Sequence, residues 1–110
     1  MGNFKPVFLN DFDDDADVFG AYDVNTRDGI NILIADYVYA DWSGSSKVIF
    51  ERDGKYYEVH GSHCSCYGLE GQWDEEEVFL PALRYRMDNM RYGKDAFDKA
   101  VVSFLEHVGA

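Results

Sequence analysis

Four side chains able to bind metal or act as nucleophiles fall within seven positions: His60, His63, Cys64 and Cys66. Thiolate and imidazole are the donors zinc favours, so a zinc centre is the first chemistry this cluster admits. Its spacing argues the other way. Structural zinc sites set paired cysteines two to four residues apart and take a second ligand pair from a distant segment. Here one residue separates the only two cysteines, and His107 is the only further histidine. A disulfide between Cys64 and Cys66 would close a small strained ring and staple nothing distant. Reduced thiols in a reducing compartment fit this cysteine usage better.

The same residues admit nucleophilic catalysis, with Cys64 or Cys66 as thiolate beside His63 or His60. Neighbouring glycines would then offer backbone N–H groups to an oxyanion. Chain neighbours seldom reach the facing geometry that a base and a nucleophile need, and acidic surroundings raise a thiol pKa. The plainer reading is a tight loop whose histidines bond local backbone. Metal and thiol chemistry centred on His60–Cys66 stand as the alternative to it.

Two acidic runs are the other chemistry-bearing feature. Asp11, Asp13, Asp15 and Asp17 match positions 1, 3, 5 and 7 of a calcium loop. Ala16 then stands at the turn glycine and Tyr22 at the bidentate acid, so the count fails twice. With Asp14, and with Asp74, Glu75, Glu76 and Glu77, these residues instead form a candidate acidic face. In an extended chain alternate Asp would recur about every 6.6–6.8 Å, close to the spacing of successive phosphates. Such a face suits a protein that normally grips nucleic acid with Lys and Arg. The plainer reading is solubility, plus a partner for a helix dipole.

Charge supports the same division. The net charge is −11. Residues 1–28 hold seven Asp against Lys5 and Arg27, and residues 78–110 carry a small positive excess. Direct nucleic-acid binding and binding to an anionic membrane are disfavoured, because both need a basic surface. A basic protein partner is compatible. No run approaches the roughly 20 apolar residues of a spanning helix. The opening residues lack the apolar stretch of a secretory signal, which sets a cytoplasmic expectation.

The elements that must position these residues are legible in part. The chain reads as a single domain over 1–110: an acidic segment 1–28, a β-meander 30–60, a motif loop 61–74 and helices over 79–109. Residues 30–40 are β-branched and aromatic, the strongest strand signal. Residues 41–46 read as a loop, Lys47–Arg52 as a second strand, Asp53-Gly54 as a type I′ turn and Lys55–His60 as a third strand. Asp74–Glu77 reads as an acidic helix start, and Pro81 belongs in the first turn of a helix from Phe79–Leu80 to about Met90. Ala96, Phe97, Ala100, Val101, Phe104, Leu105 and Val108 share one helical face. The expected class is α+β: an antiparallel sheet of three or slightly more strands against C-terminal helices.

The run Phe50-Glu51-Arg52-Asp53-Gly54-Lys55-Tyr56-Tyr57-Glu58-Val59, with Gly61-Ser62-His63-Cys64-Ser65-Cys66-Tyr67-Gly68-Leu69-Glu70-Gly71-Gln72-Trp73, resembles a family of small bacteriophage and prophage proteins. The likeness covers about residues 31–86, roughly half the chain. It implies phage origin and a bacterial host cell, and it brings no activity, cofactor or catalytic residue. Small acidic phage proteins of one domain often inhibit host machinery. The resemblance therefore implies a binding protein rather than an enzyme, of the anti-CRISPR or anti-restriction type and with nucleic-acid mimicry as one route. Its partner would be a host protein with a basic surface. Under a third reading the motif is purely a fold determinant, with Gly61, Gly68 and Gly71 supplying backbone shapes and Tyr67 and Trp73 capping the core.

Overall fold

The apolar run after the first turn pairs on both sides and becomes the middle of a sheet. In the computed structural model, which describes residues 4–65, 68–90 and 93–109, it forms β2 (Asn31–Ala40). β1 (Val7–Asn10) lies parallel to it, with Val7 opposite Ile34 and Asn10 opposite Tyr37. β3 (Ser43–Arg52) and β4 (Lys55–Cys64) continue antiparallel, and β5 (Glu76–Val78) closes the order β1-β2-β3-β4-β5. The protein is α+β, but its sheet is five-stranded and mixed, not an antiparallel meander of three strands. The two extra strands are short and carry acids or lie next to them, so composition conceals them.

Between β1 and β2 runs α1 (Asp15–Tyr22), the crossover that parallel neighbours require. Its Val18, Phe19 and Tyr22 pack with Phe12, Ile32, Ala35, Val48, Phe50, Val59 and Leu69 on one face of the sheet. The other face carries α2 (Leu80–Asp88) and α3 (Ala96–Val108), whose Leu83, Met87, Phe97, Val101, Phe104 and Leu105 cover Leu33, Ile34 and Ile49. Helices therefore cover both faces, where only C-terminal helices were expected. A register shift between Ile32 and Ile34 leaves Leu33 without a partner and turns both Leu33 and Ile34 toward the same core.

Two hairpins bound the central strands. Asp53 (φ 55°) and Gly54 (φ 79°) form the expected tight turn. The expected loop over 41–46 shrinks to Asp41 and Trp42, also at positive φ, and Ser43–Ser46 join β3. Pairing overrides composition there: Gly44 lies opposite both Tyr39 and His63, and Ser46 is buried. β4 likewise runs four residues past His60 into the expected loop, as far as Cys64. Asp74–Glu77 does not start a helix. Glu76 and Glu77 pair with Glu58 and Tyr57 as part of β5, and α2 starts at Leu80 with Pro81 in its first turn. α3 follows its predicted apolar face and carries a capping box between Asp95 and Asp98.

Candidate functional site

Strand alternation decides the fate of the His–Cys cluster. Successive side chains in β4 point to opposite faces. Val59 and Tyr57 belong to the α1 side, whereas Tyr56 belongs to the α2–α3 side. His63 follows the first set and His60 the second. His63 is 7% exposed, and its Nε2 lies 2.6 Å from the Tyr37 hydroxyl. Its Nδ1 donates to the Cys64 carbonyl at 2.7 Å. A carbonyl only accepts, so the proton sits on Nδ1 and Nε2 accepts from Tyr37 in the neutral ring. The ring also stacks on Tyr39, with centroids 5.4 Å apart.

His60 faces a different network. Glu58 is 7% exposed and receives both terminal nitrogens of Arg86, at 3.1 and 2.7 Å. His60 Nε2 lies 3.2 Å from the same carboxylate. Burial disfavours the ionised form of Glu58, but Arg86 and then His60 outweigh it and hold the carboxyl below its usual range. Cys64 is exposed, and by alternation it points away from the face that holds His63. Cys66 and Tyr67 lie outside the described residues. Among the described residues, no three of His, Cys, Asp and Glu converge as a metal-binding group. His60 and His63 are not brought together, and His63 and Cys64 do not face each other as base and nucleophile.

The acidic run Asp11–Asp17 is held in place at the end of the sheet where β1 passes into α1. Asp14 caps α1 by accepting from Asp17 N at 2.9 Å, and Asp17 accepts from Asp13 N at 2.9 Å. The Asp11 carboxylate accepts from Tyr39 N at 3.0 Å. Asp13 and Asp15 are exposed. At the same end the β2–β3 turn presents Trp42, 77% exposed, with Tyr39 and Val38 at 48% and 42%. Composition did not single these residues out. A tryptophan flanked by Asp41 and Ser43 beyond a strand is the signal that marks them.

The second acidic run lies elsewhere. β1 and β5 are opposite edges of five strands, about 19 Å apart at ordinary strand spacing. Glu75 is committed to Arg52 through two bonds of 2.7 and 3.0 Å and accepts from Trp73 Nε1 at 3.0 Å. Asp74, Glu76 and Glu77 are exposed. The two runs therefore do not merge into one array.

The glycine-rich stretch after β4 covers the α1-side core. Trp73 stacks on Phe50 with centroids 5.4 Å apart and meets Tyr22 edge-on at 5.1 Å. Gln72 reaches back to accept from Ser62 N at 2.9 Å. Gly61 has no space for a side chain, since a Cβ there would sit 2.8 Å from Leu69 and 3.0 Å from the Tyr22 hydroxyl. Burial pushes the Tyr22 phenol up to about 12. The Ser46 hydroxyl is near enough to offset part of this, although neither hydroxyl attains a hydrogen bond of ordinary geometry.

No helix among the described residues is long and apolar enough to cross a membrane. No family model, curated protein or solved structure matches this chain.

Proposed function

We propose that the chain is an acidic protein-binding module of phage origin. In this reading it occupies the basic surface of a host nucleic-acid-handling or defence protein in the bacterial cytoplasm, in the manner of anti-CRISPR or anti-restriction inhibitors. One observation carries the reading: the carboxylates of Asp11, Asp14 and Asp17 are fixed by backbone N–H groups, with exposed Asp13 and Asp15 between them. A surface whose charges are already ordered loses less freedom on binding than a floppy acidic tail. Only the Asp11–Asp17 part of the acidic face has this support. Asp74–Glu77 contributes at most a second, separate patch.

Affinity purification from a bacterial host lysate followed by mass spectrometry supplies candidate partners. Each is then measured against the Asp11→Asn, Asp13→Asn, Asp15→Asn triple variant at rising salt. Asparagine keeps an acceptor for Tyr39 N while removing the charge. Affinity should fall with salt and fall in the variant. Partners indifferent to both would sink the reading.

The glycine-rich motif Gly61–Trp73, in its described residues 61–65 and 68–73, is best read as a fold determinant. That reading is supported by the tight approach at Gly61, the left-handed Gly71 (φ 77°) and the stacked Trp73.

A further inference from the structure

We infer that the β2–β3 hairpin tip receives arginine side chains of the partner, an inference that rests on the acidic-module reading above. The tip joins two kinds of group that a guanidinium matches together. Trp42 and Tyr39 offer exposed aromatic rings. The Asp11 carboxylate accepts from Tyr39 N at 3.0 Å and so lies beside the Tyr39 backbone, and Asp41 is the chain neighbour of Trp42. A guanidinium stacks on an aromatic face while its edge forks onto a carboxylate. An ammonium is a compact, strongly hydrated charge and makes the first contact less well.

The chain already uses this chemistry on itself, but elsewhere. Arg27 lies over Phe19, Lys47 over Phe97, and Arg52 over Phe50 and Tyr57. Among the described residues no cation of the chain lies over Tyr39 or Trp42. Lys47, on the same hairpin, is committed to Asp95 at 3.0 Å. Tyr39 is also held in position, because its ring stacks on His63, which Tyr37 and the Cys64 carbonyl fix from both nitrogens. The tip thus presents a fixed ring, an exposed indole and the Asp11 carboxylate, with no cation among the described residues over either ring. The occupant is an arginine-rich segment of the partner protein.

The test uses the full chain and two fluorescent peptides of equal length, oligo-arginine and oligo-lysine, read by anisotropy at low and physiological salt. Oligo-arginine should bind roughly fivefold more tightly, the scale of one exposed cation–π contact. Trp42→Gly should erase that preference and leave the oligo-lysine affinity unchanged. Glycine suits the left-handed backbone at position 42 (φ 70°), and Trp42→Asn provides a second variant at home there. The Asp11, Asp13, Asp15→Asn variant should weaken both peptides, oligo-arginine the more, because the fork on Asp11 is lost with the charge. Equal affinity for the two peptides, or a preference that survives both Trp42 variants, overturns the arginine inference alone. Binding that ignores salt and the Asn substitutions overturns the acidic-module reading instead.

Discussion

The Tyr37 hydroxyl and His63 Nε2 meet at 2.6 Å across β3, directly above Gly44. A Cβ at Gly44 would lie 2.4 Å from His63 Nε2 and 3.0 Å from the Tyr37 ring. Gly44→Ala must therefore push His63 off its partner. The expected loss is about 2 kcal/mol, from overpacking and a broken buried hydrogen bond. Tyr37→Phe, which removes only the hydroxyl, should cost about 1 kcal/mol. Urea unfolding of both variants checks the order, and a Gly44→Ala variant as stable as the parent would remove the packed His63 from the account.

The two histidines should respond differently to truncation. His63 is buried among Tyr37, Tyr39 and Gly44, whereas His60 is exposed and meets the Glu58 carboxylate at 3.2 Å. His63→Ala should cost roughly 2–3 kcal/mol, and His60→Ala less than about 1 kcal/mol. Were the pair ligands of one metal, both losses would be large and both would vanish on chelation. Melting curves with and without a chelator separate these outcomes.

Glu58 makes stability depend on acid. Its carboxyl titrates below the ordinary value because Arg86 and His60 outweigh its burial. Below an unfolded pKa of about 4.3 the unfolded chain takes up a proton that the folded chain resists. The contribution is thus complete above that value and is lost as pH falls through the lower folded value. Glu58→Gln should destabilise the protein by about 1–2 kcal/mol at neutral pH, since half-exposed Arg86 keeps some water. It should also flatten the fall in stability below about pH 4.5. Parallel pH profiles for the two proteins would contradict this.

The parts of the fold visible in the sequence are those whose side chains repeat with a period. β2 and α3 are continuous and apolar on a defined face, and both were legible almost to the residue. Asp53-Gly54 was legible because its backbone shape demands particular residues. Hidden elements owe their state to neighbours instead. Ser43–Ser46 is extended because β2 and β4 flank it, and β5 is a strand because β4 offers it three residues. The candidate site divides the same way. The charge of Asp11–Asp17 was plain, but its bond to Tyr39 and its place at the same end of the sheet as Trp42 depend on parallel pairing of β1 with β2, which no local pattern reveals. In the His–Cys cluster the sequence spacing already spoke against facing side chains, and strand geometry sends His60 and His63 to opposite faces of β4.

Asp95 joins the start of α3 to the sheet. Its carboxylate accepts from Asp98 N at 2.8 Å as the helix cap and from Lys47 Nζ at 3.0 Å. Asp95→Ser should keep the cap and lose only the exposed ion pair, at less than about 1 kcal/mol. Asp95→Ala loses both and should cost about 1–2 kcal/mol. Raising salt should narrow the gap between parent and Asp95→Ser and leave the gap between the two variants unchanged. Equal stability of the serine and alanine variants would show that the cap contributes nothing.

Glycines of the motif should differ sharply in tolerance, and the difference separates a fold determinant from a reactive loop. At Gly61 a Cβ meets Leu69 and the Tyr22 hydroxyl, both buried in the α1-side core with no room to retreat. At Gly68 the obstacle is the Glu70 carboxylate, the far end of an exposed side chain that can swing into water. Gly61→Ala should therefore cost about 2 kcal/mol or more, and Gly68→Ala under 1 kcal/mol. Gly71 is open on all sides but left-handed, so Gly71→Ala should cost about 1 kcal/mol through backbone strain alone. Chemical denaturation of the three variants gives the ranking Gly61, Gly71, Gly68. If partner binding follows that stability ranking, the motif acts through the fold. Binding lost in Gly68→Ala at unchanged stability would instead put the loop itself in contact with the partner.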